Sequence, residues 1–187
     1  YPSRGVDEPS GELNVRGSRE GFVEVIRRNM SLIRRRINSP TLVFEMMVIG
    51  ERSNTDICLC YLSDKASPKL LEDVKKRLKT VKLNTILESG YLQPFFEGSG
   101  GWFFSECGTC ERPDSFAAKL YEGRIGILVD GTPFALTVPY LFIENFQTLD
   151  DYTQKPFYAL FIRIVRLAAY FITLFLPGAY VAIASYS

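Results

Sequence analysis

Ile125-Gly126-Ile127-Leu128-Val129-Asp130-Gly131-Thr132-Pro133-Phe134-Ala135-Leu136-Thr137-Val138 holds two short apolar runs on either side of a turn. Both runs have the length and composition of strands. Asp130 and Gly131 between them tolerate positive φ, so the segment predicts a β-hairpin with strands at 125–129 and 134–138. A hairpin this apolar needs cover, and the residues upstream supply helices. Pro113 to Tyr121 opens with proline at a first helical position and is closed by Gly123. Pro68 starts another helix, with Leu71, Val74, Leu78 and Val81 as its apolar stripe and Glu72, Asp73, Lys75, Lys76 and Lys79 as its wet face. Between them, residues 86–96 suit a short helix aligning Leu87, Tyr91 and Phe95 before the glycines at 98, 100 and 101.

Further upstream, Thr41–Ile49 and Thr55–Leu62 form a second strand pair around the polar loop Gly50-Glu51-Arg52-Ser53-Asn54. The second of these strands is apolar on both faces, which predicts a place inside the sheet and not at its edge. A helix is expected from Ser18, with Ser18 as its cap, Glu20 in its first turn and Phe22, Ile26, Met30, Ile33 and Ile37 as its buried stripe. Asn38, Ser39 and Pro40 end it. The fold class that follows is α/β in the α+β sense, a mixed sheet of about four strands covered by helices.

Downstream, a helix is expected over Leu141–Tyr152, and Pro156 restarts the chain with a new character. Leu167 to Tyr186 carries no charged residue, and about 20 such positions is the length a helix needs to cross a bilayer. Pro177 and Gly178 inside the run suit a membrane helix better than a soluble one. Arg163 and Arg166 just before it put the N-terminal side in the cytoplasm by the positive-inside rule. The organisation predicted is an extended arm at 1–15, a cytosolic domain at 16–155 and a first transmembrane helix region at 156–187. The chain opens at Tyr1 without methionine and stops inside an apolar run, so it is expected to be part of something longer.

Composition removes several functions. There is no histidine, which takes away the commonest general base, the usual catalytic triads and most catalytic zinc sites, and the chain is read as a non-enzyme. Net charge is +1, so there is no bulk nucleic-acid footprint. Arginines nevertheless crowd residues 16–36, either as a solvated helix face or as a partner or membrane surface.

Four cysteines form C-x-C at Cys58 and Cys60 and C-x-x-C at Cys107 and Cys110. A four-thiolate zinc site needs each sulfur about 2.3 Å from the metal. Same-face strand residues about 6 to 7 Å apart serve that poorly. A thioredoxin-like pair would need a helix starting at Cys107, which Glu111, Arg112 and Pro113 delay. Reduced thiols without chemistry are the favoured reading, and no cofactor is expected. Gly98-Ser99-Gly100-Gly101 lacks the Lys-Ser or Lys-Thr of a phosphate loop, and the scattered acids support no catalytic pair.

Val15-Arg16-Gly17-Ser18-Arg19-Glu20-Gly21-Phe22 together with Leu32-Ile33-Arg34-Arg35-Arg36-Ile37 resembles the signature of A subunits in the GerA spore-germination family. Further matches follow in the family's order at Gly50–Asp56, Ile86–Tyr91, Glu111–Asp114, Leu120–Arg124, Leu128–Pro133 and Phe175–Ala182. The Cys107–Cys110 stretch departs from the family's usual apolar or aromatic residues there. The resemblance implies a subunit of a germinant receptor in the spore inner membrane, its N-terminal domain on the core side. It also implies partners: B and C subunits, further copies of the A subunit, lipid and a small nutrient germinant, with ion release as the outcome.

The site residues expected for assembly and coupling are Arg16, Arg19, Glu20, Arg34, Arg35 and Arg36 around the first helix, and Arg52, Ser53 and Asp56 in the first loop. Arg163, Arg166, Pro177 and Gly178 flank or interrupt the membrane segment. Two alternatives stay open: a domain that binds an amino acid or sugar near Gly98–Gly101, and an accessory membrane protein of the related stage V sporulation protein AF type.

Overall fold

The computed structural model describes residue 11 and residues 18–97, 105–147 and 155–186. The chain divides into two compact units, residues 1–142 and 143–187. The expected arm at 1–15 and the glycine loop at 98–101 lie outside the described residues, apart from Gly11.

The first unit is built on a sheet of five strands in the order β1-β2-β4-β5-β3. These are β1 (Leu42–Ile49), β2 (Thr55–Leu62), β3 (Gly108–Cys110), β4 (Ile125–Val129) and β5 (Ala135–Val138). The α+β class is as expected, but the sheet is not mixed: all four pairings are antiparallel. The added strand is β3, too short to announce itself in the sequence. The 130–131 turn joins β4 to β5 with Gly131 at φ +86°, and β2 lies between β1 and β4, as its doubly apolar pattern required.

Helices cover both faces. On one lie α1 (Ile26–Arg36) and α4 (Pro113–Tyr121), over Cys58, Cys60, Leu62 and Leu128. On the other lie α2 (Pro68–Thr80), a 3-10 turn at Ser89–Leu92 and the single turn α3 (Gln93–Phe96), over Ile57, Leu59, Ile127 and Leu136. The period of two along each strand divides these sets. Phe116 of α4 is fully buried directly over Gly126, where any β-carbon would occupy the space of its ring.

Three expectations need correction. The first helix begins at Ile26, not near Ser18, because residues 18–25 are buried or tied down in a non-helical path before it. The Phe22 amide donates to the Glu111 carbonyl at 2.8 Å, and the buried Asn29 side chain both accepts from and donates to the Val23 backbone, at 2.8 and 2.6 Å. In the 86–96 segment Leu87 and Tyr91 are exposed while Ile86, Leu92 and Phe96 are buried. An extended start followed by a 3-10 turn shifts the inward face by one residue. The Leu141–Tyr152 helix is a 3-10 turn at Phe142–Phe146, and residues 148–152 lie outside the described residues.

The second unit contains α5, Pro156–Tyr186, one helix of 31 residues with Pro177 inside it. An 18-residue window of this helix has mean hydropathy 2.0, and 6% of that window is buried. By length and composition it is a candidate membrane-spanning helix.

Candidate functional site

The polar residues expected to act lie in three places. The first is a cluster joining residues 18–22, the end of α1 and the start of α4. Arg112, next to the proline that opens α4, is 1% exposed. An arginine so buried must be paired. Its Nε and Nη2 donate to the two carboxylate oxygens of Asp114 at 3.0 and 2.6 Å, and Nη2 also donates to the Ser18 carbonyl at 2.8 Å.

Burial alone would raise the Asp114 carboxyl. Hydrogen bonds from Arg112 and the Ser115 amide, with the charges of Arg112 and Arg36, hold it below the usual carboxylate range. Arg36 Nη2 donates to Ser18 Oγ at 2.7 Å and to Glu20 Oε2 at 2.9 Å, and Arg35 pairs with the same carboxylate. Ser18 is therefore not a helix cap. Its hydroxyl and carbonyl are the points at which α1 and α4 hold the entering chain.

The cap role falls to a residue far away in sequence. Val25, at the N-cap of α1, has no side chain able to cap it. Asp130 in the β4–β5 turn accepts from the Ile26 amide at 3.0 Å, and the Gly131 amide donates to the Glu24 carbonyl at 2.8 Å. A carboxylate at a helix N-terminus satisfies an orphan donor and meets the positive end of the dipole.

The second place is the β1–β2 loop, with Gly50 and Asn54 both at positive φ. Glu51, Arg52 and Ser53 amides donate to the Leu83 and Asn84 carbonyls at 2.9 to 3.2 Å. Ser53 Oγ accepts from the Ile86 amide at 3.1 Å and from Thr55 Oγ1 at 2.9 Å. Ser53 thus holds the loop, while the side chains of Arg52 and Asp56 are exposed.

The third place is an open groove of about 740 Å³ between α1 and β1. Arg27, Arg34 and Arg35 stand on its helical wall, and Phe44 and Met46 form its floor. The Arg34 guanidinium lies 4.9 Å from the centre of the Phe44 ring and donates to the Ser39 and Leu42 carbonyls at 3.4 and 3.3 Å.

The expected residues are therefore not one site. Glu20, Arg35 and Arg36 come together, and Arg34 turns to the groove. Arg52, Ser53 and Asp56 belong to the first loop. Arg16 lies outside the described residues. In the second unit Arg166 donates to the Phe146 carbonyl at 3.0 Å. The sequence placed Arg112 and Asp114 only in a family motif and Asp130 only in a turn, with no site role for any of them. Arginine, proline and aspartate in succession at a helix start was the available signal for the first two, and nothing local announced the third.

The cysteines divide differently from their spacing. Cys58 and Cys60 sulfurs are 3.8 Å apart, both fully buried, and burial with the adjacent Cys58 pushes the Cys60 thiol well above the usual range. Cys107 and Cys110 sit on opposite faces of the sheet. Burial, reinforced by the Glu97 charge and opposed by Lys119, pushes the Cys107 thiol up to about 12.

The family described as Bacillus/Clostridium GerA spore germination protein matches residues 1–187. The chain belongs to the GerA family. Spore germination protein KA of Bacillus subtilis (strain 168) is 43% identical over 179 residues, covering 96% of this chain and 33% of the relative. Spore germination protein B1 of the same organism is 39% identical over 184 residues, 98% of this chain and 38% of that protein. Stage V sporulation protein AF, also from Bacillus subtilis (strain 168), is 36% identical over 179 residues, 95% of this chain and 36% of that protein. This GerA-family chain thus spans about a third of the length of these relatives.

Among solved structures, the N-terminal domain of the A subunit of the Bacillus megaterium spore germinant receptor GerK3 is similar at 43% identity and TM-score 0.53. The match covers 65% of this chain and 97% of that one. The α+β fold is therefore shared with a domain that has been crystallised by itself.

Proposed function

We propose that this chain is the part of a spore germinant receptor A subunit in which a cytosolic α+β domain passes into its first membrane-spanning helix. The domain serves assembly and signal coupling, working with B and C subunits and with other A subunits. Its location is the spore inner membrane with the α+β domain on the core side, and its output is nutrient-triggered ion release. The observation that carries the reading is α5, a 31-residue helix whose apolar side chains face outward nearly all round. Water would penalise that surface at about 25 cal/mol per Å², and lipid would not. Arg163 and Arg166 in its first turns support the cytoplasmic placement of what precedes it.

Coupling is assigned to the exposed loop residues Arg52 and Asp56 and to the arginine side of α1. Arg35 and Arg36 are poor subjects for charge reversal, since both bind Glu20 and their reversal would loosen the domain itself. Arg52→Glu alters only an exposed side chain. Expressed in a spore-former within the full-length protein, it should leave subunit abundance unchanged while slowing germination or receptor assembly. Removal of residues 167–187 from this chain should move it from the membrane pellet to the soluble fraction. A truncated chain that stays in the pellet, or an intact chain that is a water-soluble monomer, would end the proposal.

A further inference from the structure

Strand β1 is the end strand of the sheet and pairs with β2 alone among the described residues. It runs eight residues without proline or lysine, a length of open edge that natural sheets usually shorten, charge or cover. Its side chains towards α1 include Met46 and Val48, 48% and 61% exposed. Its one acid, Glu45, points to the opposite face and pairs with Lys75 of α2 at 2.6 Å. The wall above this apolar floor is basic. Arg27 is exposed and makes no ion pair among the described residues, and Arg34 lies on Phe44 and donates to the Ser39 and Leu42 carbonyls. Arg35 shares Glu20 with Arg36. Asp56 is the acid at the far end of this face, opposite Val48 in the register.

We propose that this groove receives an extended polypeptide segment from a partner. The segment adds to β1 as a sixth strand, setting apolar and acidic side chains in turn against Met46 and the Arg27–Arg34 wall. The open amides and carbonyls of an edge strand recur at the spacing of another backbone, which neither a headgroup nor a small ligand reproduces. A second copy of the chain is disfavoured because pairing β1 with itself about a two-fold axis would bring two arginine walls together. The inference draws on the assembly reading only for the source of the partner; the groove's chemistry stands without it.

The test uses the intact chain in nonionic detergent and a fluorescein-labelled peptide, Val-Thr-Glu-Thr-Val-Thr-Glu-Thr-Val. Saturable anisotropy is expected, weakening as salt rises. Binding should be about tenfold weaker for the same peptide with lysine replacing glutamate, and for Arg27→Glu or Met46→Lys. Hydrogen exchange should slow at β1 amides on peptide binding. Both variants alter exposed side chains, and unchanged circular dichroism would verify their folding. Absence of saturable binding overturns the proposal, as does equal binding of the lysine peptide. So does capture of phosphatidylglycerol vesicles in place of the peptide, or a concentration-dependent dimer abolished by Met46→Lys. None of these results bears on whether α5 spans a membrane, which fractionation reads separately.

Discussion

Replacing Arg112 with methionine fills much of the space of the arginine stem but removes the hydrogen bonds to Asp114 and Ser18. The Ser18 carbonyl then loses a charged donor, at a cost of about 1 to 2 kcal/mol. The Asp114 carboxylate keeps the Ser115 amide at 2.9 Å and is 27% exposed, so partial rehydration limits its loss to a similar figure. The sum, about 3 kcal/mol, sits at the low end for breaking a buried pair. With a urea dependence of about 2 kcal/mol per M, the midpoint should fall by about 1.5 M. The measurement is urea denaturation of a fragment ending at residue 147, followed by far-ultraviolet circular dichroism.

The same pair makes a prediction about pH. In the parent, the depressed Asp114 carboxyl contributes stability above its unfolded value of about 3.9 and loses it as pH falls through the lower folded value. In Arg112→Met, burial, already the largest single influence, is opposed only by the Ser115 amide and Arg36. The folded value then rises towards or above the unfolded one, and acidification costs less stability at this site. The gap between parent and variant should therefore narrow between pH 7 and pH 3. A midpoint shift under about 0.3 M, or a gap constant with pH, would refute the assignment of Arg112 as the tie between the entering chain and α4.

Three glycines separate steric from conformational cost. Gly126→Ala should lose about 2 to 3 kcal/mol because Phe116 occupies the space. Gly131→Ala, in open space at φ +86°, should lose about 1 kcal/mol. Gly90→Ala, in open space without that φ, should change thermal stability least of the three. Asp130→Ala should cost about 1 kcal/mol and speed hydrogen exchange at the Ile26 amide, the donor it caps. In thiol titration at pH 8, Cys58, Cys60 and Cys107 should resist modification until denaturant is added. All three are buried, and the Cys60 and Cys107 thiols are held protonated by their surroundings.

Periodicity made much of this architecture legible. Two apolar runs around Asp130-Gly131, another pair around Gly50–Asn54, and helices opened by Pro68 and Pro113 all appear where their local signals stood. Those signals act within a few residues. Where the outcome depended on partners about a hundred residues away, local reading failed. Ser18 and Glu20 look like a helix start, yet Arg112 and Glu111 draw that segment into an extended path. The arginine cluster was visible as a crowd of charge, but not its division between Glu20, Phe44 and solvent, which depends on where β1 lies relative to α1. Residue spacing paired Cys107 with Cys110, whereas the strand period separates them.

Asp130 and Ile26 are 104 residues apart, as far as almost any two points in this domain. Loop closure over that distance must precede any reward from the contact, so α1 can be fully held only after the β4–β5 hairpin has left the ribosome. By then α5 is the next α-helix to emerge. Completion of the α+β domain and delivery of its neighbouring apolar helix thus fall close together in time, and a nascent chain stalled before Gly131 would present its first helix without an anchor.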